Sequence, residues 1–202
     1  MSGVAILFPR EAMPVDPLAA LMGRVADADQ RALAELYSQM NRKIFAFALR
    51  HVGDRDLAEG IVVETMFEVW KNASRFSGGS SVSTWILGIA RHKALDEVRR
   101  RARFVPYDEA VGMEMADECG SAFDGLAARE TRLQLDVCIK RLPAEQQECI
   151  HLVFYEELSL AEIAQIQGVP ENTVKTRLFH ARRKLKILLG RSGSNVAQIL
   201  SL

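Results

Sequence analysis

The stretch Ser159-Leu-Ala-Glu-Ile-Ala-Gln-Ile-Gln-Gly-Val-Pro-Glu-Asn-Thr-Val-Lys-Thr-Arg-Leu-Phe-His-Ala-Arg-Arg-Lys-Leu185 leaves the chain little choice of local structure. Ser159 and Glu162 have capping-box spacing, in which each side chain satisfies a backbone amide left unpaired at a helix start. Ile163, Ala164 and Ile166 give the helix that follows a short apolar face, and the small Ala164 lets a second helix cross closely. Gly168 stands where a helix needs a left-handed C-terminal cap. Val169 plugs the corner, and Pro170 suits the start of the next helix. There Val174, Leu178, Ala181, Leu185 and Leu188 recur at steps of four, three, four and three, which predicts an inward stripe. Capping box, glycine turn and amphipathic helix in this order predict a helix-turn-helix.

The charge on the second helix points to its partner. The whole chain carries 26 basic and 26 acidic residues, so net charge alone selects nothing. Asn172–Arg191, however, holds seven Lys and Arg residues and no acid. A merely solvated helix face mixes signs, so this bias favours a polyanion. Lys175, Thr176, Phe179, His180 and Arg183 lie away from the apolar stripe, as major-groove side chains do, with flanking cations placed for phosphates.

Upstream, helical periodicity is nearly continuous from Asp16 to Arg103. Asp16-Pro17 reads as an N-cap with proline at the first helical position. A helix from about Asp29 to His51 carries Leu33, Leu36, Tyr37, Met40, Ile44, Phe47 and Ala48 at three- and four-residue steps. Gly53 ends it, and Asp54 caps a helix with Leu57, Ile61, Val62, Thr65, Met66, Val69 and Trp70. Phe76–Ser81 has the composition of a loop, and a basic helix runs from about Ser83 to Arg103. Residues 104–128 contain six acids and no Lys or Arg, punctuated by Pro106 and glycines, as an acidic linker would be; a short helix fits around Glu109–Met115. Helicity resumes near Asp124 and runs to about Leu189. The chain is therefore read as all-α: two small helical domains, residues 16–103 and 126–190, joined by an acidic linker at 104–125, with an extension at 1–15 and a tail at 191–202.

Several function classes lack support in the sequence. Val4–Phe8 is too short to span a membrane and has no signal-peptide flanks. Three cysteines, Cys119, Cys138 and Cys149, without framework spacing suit a reducing compartment. The reading is a cytoplasmic protein without membrane insertion. No phosphate-binding glycine loop is present, and the four histidines are scattered. Cys149-x-His151 with Cys138 is a weak metal pattern, because zinc sites show paired close ligands; Cys138 and Cys149 fit better as buried small residues. No catalytic set, metal, cofactor or small-molecule substrate is called for.

Leu142-Pro143, Leu158-Ser159, Glu162-Ile163-Ala164, Gly168-Val169, Thr173-Val174-Lys175-Thr176-Arg177-Leu178 and Ala181-Arg182 resemble region 4 of the extracytoplasmic-function (ECF) sigma factors of the sigma-70 family. Ala58–Phe67 resembles their region 2.2, with Gly60 and Val63 where the family has an acid and a glutamine. Phe76-Ser77-Gly78, Ser83-Thr84-Trp85-Ile86, Ile89-Ala90-Arg91, Asp96, Arg99 and Arg100 resemble regions 2.3 and 2.4, with His92 in place of an asparagine.

The resemblance implies a promoter-directing subunit of RNA polymerase without catalysis of its own. Pro170, Thr173, Lys175, Thr176, Phe179, His180 and Arg183 would read the duplex −35 element. Phe76, Ser77, Thr84, Arg91, His92, Asp96, Arg99 and Arg100 would hold the melted −10 element. Glu59, Ile61, Glu64, Met66, Phe67 and Glu68 would grip core polymerase, charged groups rimming an apolar centre. Trp85 reads more readily as core than as a base platform. The acidic linker would follow the RNA-exit path, and an anti-sigma factor would clamp between the modules and hide both DNA faces. A stand-alone helix-turn-helix regulator is the alternative; a helical adaptor is a third reading, which leaves the basic stretches unexplained.

Overall fold

The computed structural model describes residues 16–104 and 134–191. The expectations for the extension, the acidic linker with its short helix, Cys119 and the tail beyond Arg191 lie outside the described residues. Among those described, all regular structure is helical. The N-terminal module comprises α1 (Ala19–Ala26), α2 (Gln30–Val52), α3 (Arg55–Asn72) and α4 (Val82–Phe104), with a 3-10 turn at Ala73–Arg75 between the last two. The C-terminal module comprises α5, described over residues 134–140, then α6 (Ala144–Phe154), α7 (Leu160–Gln167) and α8 (Glu171–Arg191).

Side-chain caps set most of these boundaries. Asp29 Oδ1 accepts the amides of Arg31 and Ala32 at 2.8 and 3.2 Å, and α2 stops at Gly53 with φ 65°. Asp54 Oδ1 takes the Leu57 amide to start α3, and Ser81 Oγ takes the Thr84 amide to start α4. Asp16 behaves differently from its sequence expectation. Helix α1 begins only at Ala19, although Asp16 Oδ1 still accepts the Leu18 amide. Its other oxygen accepts the Val82 amide at 2.6 Å, so one carboxylate serves two helix starts. The Ser159–Glu162 capping box is complete, with the Ser159 amide on Glu162 Oε2 at 3.0 Å and the Glu162 amide on Ser159 Oγ at 3.3 Å. Gly168 closes α7 at φ 65°, a conformation that costs an L side chain roughly 1–2 kcal/mol.

Leu36, Met40, Ile44 and Phe47 of α2 pack on Val62, Met66 and Val69 of α3 and on Val82, Ile86, Leu87 and Ala90 of α4. Tyr37, placed on the apolar stripe by periodicity, is instead exposed. It follows Leu36 by one residue, a turn of about 100° around the helix, which carries it off the stripe. In the other module Ile163, Ile166, Val174, Leu178, Ala181 and Leu185 are buried as the spacing predicts. The stripe ends on Leu189, fully buried, while Leu188 is half-buried.

The modules do not stand apart. Helix α7 lies against α4, and most buried apolar residues of both modules form one continuous cluster, beside a smaller one of Ala48, Val52, Ala58, Ile61 and Ala94. No described helix is long and apolar enough to cross a membrane.

Candidate nucleic-acid interface

With Val174, Leu178, Ala181 and Leu185 turned inward, α8 presents Lys175, Thr176, Phe179, His180 and Arg183 to solvent, and Pro170 is exposed just before it. Thr173 is half-buried. Phe179 is 63% exposed, with its ring edge-on to His180 at 5.5 Å. Burial gains nothing from an aromatic ring in that position. Lys175 pairs with Glu171 at 2.9 Å across one helical turn, a surface bond worth only about 0.3–0.5 kcal/mol, so its head group is available to a stronger anion.

A second face forms around the start of α4. Phe76 leans on Trp85 with ring centroids 5.6 Å apart. Both line an open cleft of about 390 Å³ that also takes in Ser77, Thr84, His92 and, from α7, Gln165. Trp85 therefore packs on the core and also walls the cleft. His92 is exposed, with Nδ1 2.7 Å from the Gly88 carbonyl. One turn on, Asp96 shares its side of the helix and pairs with Arg99 at 3.3 Å. Arg100 is held by Glu97 at 2.8 Å.

Two residues expected at the melted strand are engaged elsewhere. Thr84 is 2% exposed, and its hydroxyl donates to Glu162 of α7 at 2.9 Å. Arg91 is half-buried, with Nε donating to Glu148 of α6 at 2.7 Å.

The polymerase-facing expectation needs a correction. Ile61 and Met66 are 4% and 5% exposed. Ile61 packs with Ala48, Val52, Ala58 and Ala94, and Met66 lies in the main core. The outward apolar groups of α3 are Phe67, 61% exposed, and Val63, which periodicity did not single out. Glu59 and Glu64 flank them in solvent, and Glu68 is half-buried, bonded to Asn72.

Between the modules runs a polar seam. Glu148 receives Arg91 at 2.7 Å and Gln167 Nε2 at 2.8 Å, with His51 Nε2 at 3.4 Å. Gln167 in turn accepts Arg177 of α8 at 2.7 Å and the Cys149 thiol at 3.3 Å. Glu156 pairs with Lys43 at 2.9 Å, and Arg50 stacks over Tyr155 at 4.7 Å. Sequence reasoning missed Glu148. Its signal was an acid directly beside Cys149, Ile150 and Leu152 of α6, a place that burial tolerates only with a partner. Among the described residues no cluster of His, Cys, Asp or Glu is arranged to hold a metal ion. Cys138 and Cys149 are buried free thiols, and burial pushes the Cys149 thiol up.

The seam is acid-sensitive by its electrostatics. Burial works to raise Glu148, Glu156 and Glu162, but hydrogen bonds and cations outweigh it and hold all three below the ordinary 4.5. The chief opposing partners are His51 and Arg91 for Glu148, His151 and Lys43 for Glu156, and the Ser159 amide and hydroxyl for Glu162. Burial pushes His151 below its ordinary 6.5, against the pull of Glu156, whose carboxylate lies 3.5 Å away. For His151 the folded form resists protonation, so its contribution is present above 6.5 and lost as pH falls through the lowered value. The depressed carboxylates contribute above 4.5 and are lost below it. Urea midpoints are therefore expected to drop first as pH falls below 6.5 and again below 4.5; a midpoint flat across the first interval would show that His151 is not buried neutral.

Comparison with known proteins matches residues 36–104 to the Sigma-70 region 2 family and residues 132–185 to the Sigma-70, region 4 family. The chain is similar to the ECF RNA polymerase sigma factor SigK of Mycobacterium bovis, 32% identical over 171 residues that cover 84% of this chain and 91% of SigK. The SigK of Mycolicibacterium vanbaalenii is 28% identical, over 86% of this chain and 89% of its own length. Among solved structures, RpoE of Bartonella quintana, in complex with the anti-sigma factor NepR, is 26% identical at a TM-score of 0.60, over 77% of this chain and 97% of RpoE. CnrH, in complex with the cytosolic domain of CnrY, shares the fold at 22% identity and the same TM-score, over 85% of this chain and 96% of CnrH. The pairing of a region 2 module with a region 4 helix-turn-helix, in this order and over this length, places the chain in the family of ECF RNA polymerase sigma factors.

Proposed function

We propose that this sigma factor divides promoter recognition among three faces. The outward side of α8 (Pro170, Thr173, Lys175, Thr176, Phe179, His180 and Arg183) reads duplex −35 DNA. The Phe76–Trp85 cleft, with Ser77, Thr84, Arg91, His92, Asp96, Arg99 and Arg100, holds the melted −10 strand. The Phe67 face of α3, rimmed by Glu59, Glu64 and Glu68, docks on core polymerase. One observation carries the reading: five side chains of α8 suited to DNA point outward together while Val174, Leu178, Ala181 and Leu185 of its apolar stripe are buried. In this assignment residues 16–103 and 126–190 are the working modules and 104–125 is the acidic linker. The protein acts in the cytoplasm as a non-catalytic subunit. It is held inactive by an anti-sigma factor, the kind of partner with which the similar RpoE was solved.

Purified chain plus core polymerase should give specific transcript starts on genomic DNA, and the chain alone should bind promoter duplex poorly. Tight promoter binding without polymerase would instead identify a stand-alone regulator. Within the holoenzyme, Lys175→Ala is expected to weaken −35 binding and to lower the salt dependence by about one counterion. An unchanged salt slope would remove Lys175 from the phosphate contacts.

A further inference from the structure

We propose that His92 decides which base the Phe76–Trp85 cleft accepts. Its neutral ring takes a hydrogen bond from the exocyclic amine of adenine or cytosine, and its protonated ring turns to the carbonyl of guanine or thymine. The inference rests on the assignment of this cleft to the melted strand.

The ring is fixed by its own helix. Nδ1 lies 2.7 Å from the Gly88 carbonyl, one turn back. A carbonyl oxygen only accepts, so Nδ1 carries the proton of the neutral ring, and Nε2 is left with a lone pair. Nε2 makes no hydrogen bond to any described residue. The other polar side chains lining the cleft cannot make the same choice. Arg75 and the Trp85 indole only donate, while the hydroxyls of Ser77, Ser80 and Thr84 and the amide of Gln165 both donate and accept. Among the described side chains of the lining, His92 Nε2 is therefore the one group that only accepts. Adenine and cytosine carry an amine where guanine and thymine carry a carbonyl. A base drawn out of its stack rests on Phe76 and Trp85 by its face, which every base has, so the choice among bases falls to an edge contact of this kind.

Protonation reverses the preference without moving the ring. Nδ1 donates to Gly88 in either state, while Nε2 changes from acceptor to donor. Histidine is the side chain that makes such a change between about pH 5 and 8. The charged groups around the ring leave it free to do so. Arg75, from the 3-10 turn, lines the same cleft, and Asp96, one turn on, is paired with Arg99 at 3.3 Å. Lys93, the next residue, is drawn to Glu64 and Glu68 of α3 at 3.9 and 3.8 Å. From α7 the cleft receives the uncharged Gln165, and Glu162 is taken up by Ser81, Thr84 and its own capping box.

The test uses the holoenzyme and a promoter located from its own transcript starts. Variants with each of the four bases at each −10 position are competed for binding. Preference is read as a ratio of affinities within one pH, so effects of pH on the polymerase cancel. One position is expected to favour its amine-bearing base about tenfold over the matching keto base at about pH 8, and to lose that preference by about pH 5.5. An analogue that lacks only the amine should lose about the same tenfold at the higher pH. In His92→Gln and His92→Ala the preference at that position should be smaller and independent of pH. A preference that keeps its size across the pH range, or that survives in full in His92→Ala, overturns the proposal. Phe76→Ala separates it from the cleft assignment. If Phe76→Ala weakens −10 binding while His92→Ala alters no base preference, the cleft holds the strand and His92 is not its reader. If neither variant changes −10 binding, the cleft assignment falls and the proposal falls with it.

Discussion

Phe67→Arg is expected to cut affinity for core polymerase by at least about 30-fold while leaving the fold intact. An exposed aromatic ring at the centre of a docking face typically contributes about 2 kcal/mol or more, which is that factor. The ring is 61% exposed, and the Lys71 ammonium lies 5.5 Å from its centroid. Surface changes of this kind alter folding by less than about 0.5 kcal/mol. A binding titration with core polymerase, read beside a urea melt, checks both halves. Wild-type affinity in the variant would move the docking face off α3. Loss of stability would mean that the ring is core in solution. Phe67→Leu, which keeps an apolar contact, should retain most of the affinity.

Phe47→Ala is expected to have the opposite profile. The ring is 0% exposed and lies 4.4 Å from the ring of His51. Emptying a site of this size costs about 3–5 kcal/mol, a large share of the roughly 5–15 kcal/mol that holds a domain together. The urea midpoint should fall sharply with little change in slope. The loss should also reach the seam, because the Phe47 carbonyl lies 2.9 Å from His51 Nδ1, and the other nitrogen of that ring faces Glu148. A loss of unfolding free energy much under about 3 kcal/mol would show that the core around α2 collapses into the gap.

What could be read from the sequence follows from the range of the physics involved. Asp54, Ser159 and Gly168 act within a few residues of themselves, so their cap positions were legible, and the structure has them in those roles. Faces of helices were legible only to within a residue. Tyr37 sits one step off the buried stripe, and on α3 the spacing put Ile61 and Met66 on the inward stripe, where they lie, while the family resemblance set them beside Phe67 on the outer side, which Val63 and Phe67 occupy. A helix packed by neighbours on two sides has a wide buried arc, and periodicity alone does not say where the arc ends. The seam was not legible. Arg91 meets Glu148 across 57 residues and Thr84 meets Glu162 across 78, and no local pattern encodes partners at that distance. The same is true of Asp16, whose pattern announced one helix and whose carboxylate also reaches another.

That reach sets where the N-terminal module can be cut. Measured by apolar packing, a shortened chain beginning at Leu18 would keep α1 and all of its buried side chains. It would lose the acceptor for the Val82 amide, 66 residues downstream, at the foot of the helix that walls the cleft. The module's working edge is therefore drawn by one hydrogen bond. A chain trimmed by hydropathy would keep its core and fray at the entrance to its binding cleft.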